Sequence, residues 1–173
     1  MCPDPRESAQ LYTGGIDMPV YAKAGESLQH IMNPLQAAKH PELVLMEGPR
    51  PADGYVAADS GRWVLSRDAL LQAVSAEKNR RRDSGFMLDG VLWDSDYAAR
   101  LAYAEMAARF AAAPDCTVHW KASAGNWVML DNTLFDRVHA AAQAHIAAAY
   151  EWQRQQEAAL ASVPDEGQTA ADC

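Results

Sequence analysis

Four side chains able to ligate zinc stand in order along the chain: Cys116, His119, His139 and His145. Cys116-x-x-His119 has the separation of a ligand pair. His139 and His145 do not, because six positions on a helix put two residues about 120° apart around its axis, whereas ligands shared from one helix stand three or four apart. Cys116, just after Pro114, reads more simply as the entry to a strand. Asp89, Asp94 and Asp96 crowd another short stretch that could hold a hard cation. The further oxygen ligands and closing glutamate of a calcium loop are missing there, and a hairpin turn followed by a helix cap accounts for all three. Lys78 to Asp83, "KNRRRD", is the basic run of the sequence. It could hold phosphate or an acidic partner, and it equally suits the last turns of a helix, where cations complement the dipole. His30 and His40 have no nucleophile beside them in a recognisable motif, and neither a Gly-x-Ser-x-Gly elbow nor a phosphate-cradling glycine loop occurs. A small enzyme built around His30 and His40 is the weakest reading. The expectation is no catalytic, metal-binding or cofactor-binding residue.

Charge narrows the partners. Fifteen basic against 23 acidic side chains leave a net charge of −8, which repels phosphate backbones and anionic lipid surfaces, so neither nucleic acid nor membrane is expected. Cys2, Cys116 and Cys173 are too few and too scattered for a disulfide framework, which fits a reducing compartment. The N-terminal stretch has no basic segment leading into an apolar run, and synthesis as a soluble protein in the cytosol is expected. An apolar fraction of 49% with 22% charged residues is that of a chain that folds.

The elements that must position these residues are written in the turn chemistry. Ser60–Val74, "SGRWVLSRDALLQAV", returns as Ala124–Val138, "AGNWVMLDNTLFDRV", at an offset of 64 positions (Trp63 to Trp127), with Gly61 on Gly125, Val64 on Val128, Leu70 on Leu134 and Val74 on Val138. Each copy reads as a β-hairpin feeding an amphipathic helix. Gly61 suits the left-handed position of a three-residue turn, Ser66 could cap the first helix, and Asp131 or Asn132 the second. Between the copies, Asp89-Gly90 sits between two apolar triplets and marks a further hairpin, followed by a helix capped at Asp94 or Ser95, carrying Tyr97, Leu101, Met106 and Phe110, and ending at Pro114. Upstream, Gly14-Gly15 suggests a turn, Ser27 a cap for a helix that Pro34 should break or kink, and Glu42–Gly48 a strand. The whole is expected to be α+β: short β-hairpins alternating with helices and closing with a long alanine-rich C-terminal helix over 132–162. The expected divisions are a strand-rich attachment region over 1–50, a first hairpin-helix unit over 51–84, a second hairpin-helix domain over 85–163 and a polar tail over 164–173.

Trp63, Trp93, Trp120 and Trp127 fall on hairpin strands, where burying a ring contributes about 2–3 kcal/mol, and they are expected as structural staples together with Asp89 and Gly90. On the last helix Leu134, Val138, Ala141, His145, Ala148, Trp152, Gln155 and Ala159 step by alternate fours and threes, a coiled-coil seam. Little local sequence remains to cover Trp152. His145, Ala148, Trp152 and Gln155 are therefore expected to contact another chain, or the helix folds back along the N-terminal segment.

From "RRRDSGFMLDGVLWDSDYAARLAYAEMAARF" through "VHWKASAGNWVMLDNTLFDRVHAAAQAHIAAAYEWQRQQEAALA", roughly residues 78–161, the chain resembles an uncharacterised domain family of tail and tail-fibre accessory proteins in tailed bacteriophages and prophages. The Arg-rich helix end, Gly85, Asp89-Gly90, Asp94-Ser95-Asp96, the hairpin at Trp120 and Trp127, and the helix through His145 and Tyr150 carry the resemblance. It implies a structural part of a tail tip, baseplate or fibre attachment, with other tail proteins or the fibre as partners and a homo-oligomeric state, made in the host cytoplasm and ending in the virion. The alternative is a fibre-assembly chaperone that does not stay in the particle. No enzyme is implied.

Overall fold

A computed structural model describes residues 18–163, which form an α+β mix of four helices and short antiparallel strand pairs. The contacts divide them into two compact units, 18–66 and 67–163. The division falls inside the 51–84 stretch expected as one hairpin-helix unit, so the first repeat's hairpin and its helix belong to different units. Gly14-Gly15 and the tail 164–173 lie outside the described residues.

In the first unit β1 (Val20–Lys23) is the centre of a three-stranded antiparallel sheet, between β2 (Gln29–Ile31) and β3 (Leu43–Leu45). The helix expected from Ser27 is not there. Residues 29–31 pair with β1, and the helix α1 (Pro34–Ala37) starts at the proline rather than breaking on it. Asn33 and Gln36 form a reciprocal capping box, and a proline in the first helical position has no N–H to satisfy. β4 (Tyr55–Ala57) and β5 (Trp63–Leu65) make the first hairpin. Gly61 adopts φ +82°, the left-handed turn residue expected, and its missing side chain leaves room for the Leu45 carbonyl oxygen, 2.5 Å from where a Cβ would stand. Val20, Ala22, Met46 and Ala57 form this unit's buried core, with Trp63 packed against it and its indole N–H donating to the Gly48 carbonyl at 2.8 Å.

The second unit opens with α2 (Arg67–Arg82), followed by the hairpin β6 (Phe86–Leu88) and β7 (Val91–Trp93). Asp89 and Gly90 both take positive φ, 51° and 77°, as a tight two-residue turn demands. α3 (Tyr97–Ala112) follows. Its cap is Asp96, whose carboxylate accepts from Ala99 N, and its buried face is Tyr103, Met106 and Phe110, while Tyr97 and Leu101 are exposed. The expected caps one and two residues earlier are wrong because Ser95, wholly buried, has another task. Its hydroxyl donates to the Arg82 carbonyl and accepts from Gly85 N at 2.9 Å, tying the end of α2 to the start of β6. Ser95→Ala should cost about 1–3 kcal/mol in chemical denaturation, since the part-buried Gly85 N–H is left without its acceptor.

β8 (Val118–Lys121) and β9 (Trp127–Leu130) form the last hairpin, across a 3₁₀ turn at Ser123–Gly125, and α4 (Asn132–Ser162) closes the unit, capped as expected by Asp131. The echo is structural. Ala57↔Trp63, Val56↔Val64 and Tyr55↔Leu65 return as Lys121↔Trp127, Trp120↔Val128 and His119↔Met129. The bond closing the first turn, Ala58 N to Arg62 O, returns as Ala122 N to Asn126 O, both 2.8 Å. The shared core of α3, α4 and the two hairpins contains Phe86, Trp93, Tyr103, Met106, Phe110, Leu130, Phe135 and Val138.

Candidate functional site

The helix α4 is longer than the hairpins can cover, and α2 covers the rest. Their buried residues alternate along one line: Phe135, Val138, Ala142 and Ala149 on α4, continued by half-buried His145, Trp152 and Gln156. This inward line shares Val138, His145 and Trp152 with the expected seam, and its alternate positions are shifted by one. Ala148 and Gln155 are exposed, and Ala149 and Gln156 take their places. Alanine on every side of this helix hides the phase, which the buried ring of Phe135 sets.

Trp152, expected to meet either another chain or the N-terminal segment, is half-buried against α2. α2 lies antiparallel against α4, with Leu70 and Val74 beside the Trp152–Leu160 end and Arg81 nearer His145. The Arg81 guanidinium stands 4.2 Å over the Trp152 ring, and the buried Lys78 ammonium 4.8 Å over the Tyr150 ring, both cation–π arrangements. The basic run is therefore more than a solvated helix end: its three- and four-residue spacing lays Lys78, Arg81 and Arg82 along the aromatic pair of α4. That spacing, opposite Tyr150 and Trp152, is the signal in the sequence that could have identified α2 as the cover.

Two concavities flank the Arg81–Trp152 contact. One, of about 420 Å³, is lined by Arg80, Arg81, Ser84, His145, Ala148 and Ala149. The other, also about 420 Å³, is an apolar groove whose walls include Leu70, Val74, Trp152 and Leu160. Glu77 takes hydrogen bonds from both Arg80 and Arg81, which hold its carboxyl down at about 2. His145 Nε2 is buried without a hydrogen-bond partner, its ring 5.9 Å from Phe86. Behind them, Asp83 sits between Arg82 and Arg100, which hold its carboxyl well below the usual aspartate range. A depressed carboxyl stabilises the fold fully above its unfolded value near 4 and loses that contribution as pH falls through the folded value. Asp83→Asn should therefore cost roughly 0.5–1 kcal/mol at neutral pH, given its partial exposure, and the gap to the parent should close towards about pH 2 in urea melts.

The other expected site residues are scattered. Trp93 and Trp120 are core staples, Trp120 stacked on Tyr103 at 5.6 Å. Burial, together with Asp94 and Asp96, pushes the Tyr103 hydroxyl up to about 12. Trp127 is not a staple. It is 66% exposed, because on a two-stranded ribbon only Val118, Trp120, Val128 and Leu130 face the core and the alternate face, with Trp127 and Met129, is left outside. Asp89 pairs with Arg137 of α4. Cys116 packs on the core edge and His139 stacks on Phe135, while His119 points outward; among the described residues no cluster of three metal-ligating side chains occurs. His40 meets Glu42 at 3.3 Å, and His30 lies on β2 opposite Tyr21. No helix among the described residues is long and apolar enough to cross a membrane.

No curated protein and no solved structure matches the chain. A family model does, over residues 65–172, and its start falls two residues before that of the second compact unit at Arg67. The match thus takes in α2, which the resemblance from residue 78 onward had largely left out. The matched stretch holds helix α2, the two hairpins, α3 and α4, the matching model is that of the domain of unknown function DUF4376, and the chain belongs to that family.

Proposed function

We propose that the protein is a structural component of a bacteriophage tail, at the tail tip, baseplate or fibre attachment, acting through protein–protein contacts. The observation that carries this reading is the outward face of the second unit's hairpins. Trp127 is 66% exposed and Met129 and Met87 are 52% and 63% exposed, on ribbons held from behind by a packed core. Large apolar side chains displayed on rigid strands suit a contact that is completed by another protein. The resemblance of residues 78–161 to phage tail and tail-fibre accessory proteins supplies the setting: synthesis in the host cytoplasm, then a place in the virion beside other tail proteins or the fibre, in several copies.

Mass spectrometry of purified particles tests the reading. The protein should appear in fixed ratio to known tail proteins. If it is missing from the particles yet raises the yield of soluble fibre on co-expression, the structural role is overturned in favour of an assembly chaperone that leaves.

A further inference from the structure

We propose that the α2–α4 face of residues 67–163 docks an extended segment of a partner protein, in which an apolar side chain and an acidic one are separated by about four residues. The inference rests on the contact role above and names the chemistry of the partner. The apolar groove and the basic cavity share a wall: Arg81 lines the cavity, and its guanidinium lies over the Trp152 ring that lines the groove. A segment crossing that wall passes from Leu70, Val74, Trp152 and Leu160 to Arg80, Arg81 and His145. Along α4 the centres of the two concavities are about nine residues apart, about 13 Å at the helical rise, which four extended residues span.

The charge chooses the occupant. Arg80 and Arg81 share the single carboxylate of Glu77, which leaves one positive charge over, and the Arg80 side chain is 69% exposed. The same cavity is walled by His145, whose buried Nε2 has no hydrogen-bond partner. A carboxylate entering there would meet the surplus guanidinium charge, and Arg–carboxylate hydrogen bonds are short and strong. A second copy docking through this same face would bring the same positive excess to the contact, whereas an acidic segment on a different partner meets that excess with the opposite sign.

The test is a selection of random twelve-residue display peptides on the immobilised full-length protein, followed by fluorescence anisotropy with the enriched peptides. The expected consensus pairs Leu, Ile, Phe or Trp with Asp or Glu about four positions away. Arg80→Ala, which disturbs only a surface ion pair with Glu77, should weaken binding about tenfold, and so should Leu160→Ser at the far end of the groove, with both variants retaining the parent far-UV spectrum. Enrichment without acidic residues, binding that both variants retain, or no enrichment over the bare matrix would overturn the proposal. So would light scattering that shows a dimer which both variants dissociate, since the face would then be taken by a second copy. Particle composition is unaffected by any of these results, so failure here leaves the tail assignment standing on its own test.

Discussion

Trp93→Ala is expected to cost about 3–5 kcal/mol, the range for emptying a large aromatic from a packed core. Trp93 is 2% exposed and lies within the core that joins β6–β7 to α3 and α4. Typical domains have only about 5–15 kcal/mol in total, so the second unit should lose most of its margin. Trp93→Phe sharpens the expectation. The indole Nε1–H is buried with no partner, so the ring's apolar bulk stabilises while its polar atom does not. Phenylalanine keeps most of the bulk and removes the orphan donor, and its cost should stay below about 1.5 kcal/mol. Urea unfolding followed by far-UV dichroism measures both. If phenylalanine proves as damaging as alanine, the indole N–H has a role that this packing does not explain.

Gly85→Ala should cost about 2–4 kcal/mol, and the comparison with Gly90→Ala says why. Both glycines have nearly the same left-handed backbone, φ +80° and +77°. At Gly90 nothing lies within 4 Å of the position a Cβ would take, so alanine there brings only the conformational strain of about 1–2 kcal/mol. At Gly85 the new carbon would stand 2.8 Å from the Trp93 carbonyl oxygen and 3.2 Å from Leu92 Cδ1. That carbonyl belongs to the strand paired with β6 and cannot retreat without opening the hairpin, and Gly85 N is also the atom that Ser95 secures. Parallel melts of the two variants isolate the steric part. Equal losses would mean the hairpin yields more easily than its hydrogen bonding implies.

Local chemistry was legible in the sequence wherever one residue type answers one backbone demand. Gly61, Asp89-Gly90 and Asp131 each stand where a left-handed residue or a helix cap is required, and the hairpins and the span 132–162 follow from them. Pro34 misled because the same ring that breaks a helix interior also starts one, and Asn33 decides which. Non-local choices were hidden. A hairpin's alternation shows that it has two faces, and nothing in the strand itself says which face a distant helix will cover, so Trp120 and Trp127 look alike in sequence and differ in fate. The cover for Trp152 was hidden for the same reason, since α2 lies about seventy positions earlier. The groove and the basic cavity could not be seen until that pairing was known, although Lys78, Arg81 and Arg82 carried its spacing.

That pairing also sets an order of events during synthesis. Leu70 and Val74 leave the ribosome long before the turns of α4 around Trp152 and Leu160 that meet them. At translation rates of about 5–20 residues per second, the first helix waits roughly 4–16 seconds with its apolar side unsheltered. A nascent chain stalled just before Trp152 would present that side to any chaperone near the exit tunnel, and emergence of the turns from Trp152 to Leu160 is the step that withdraws it.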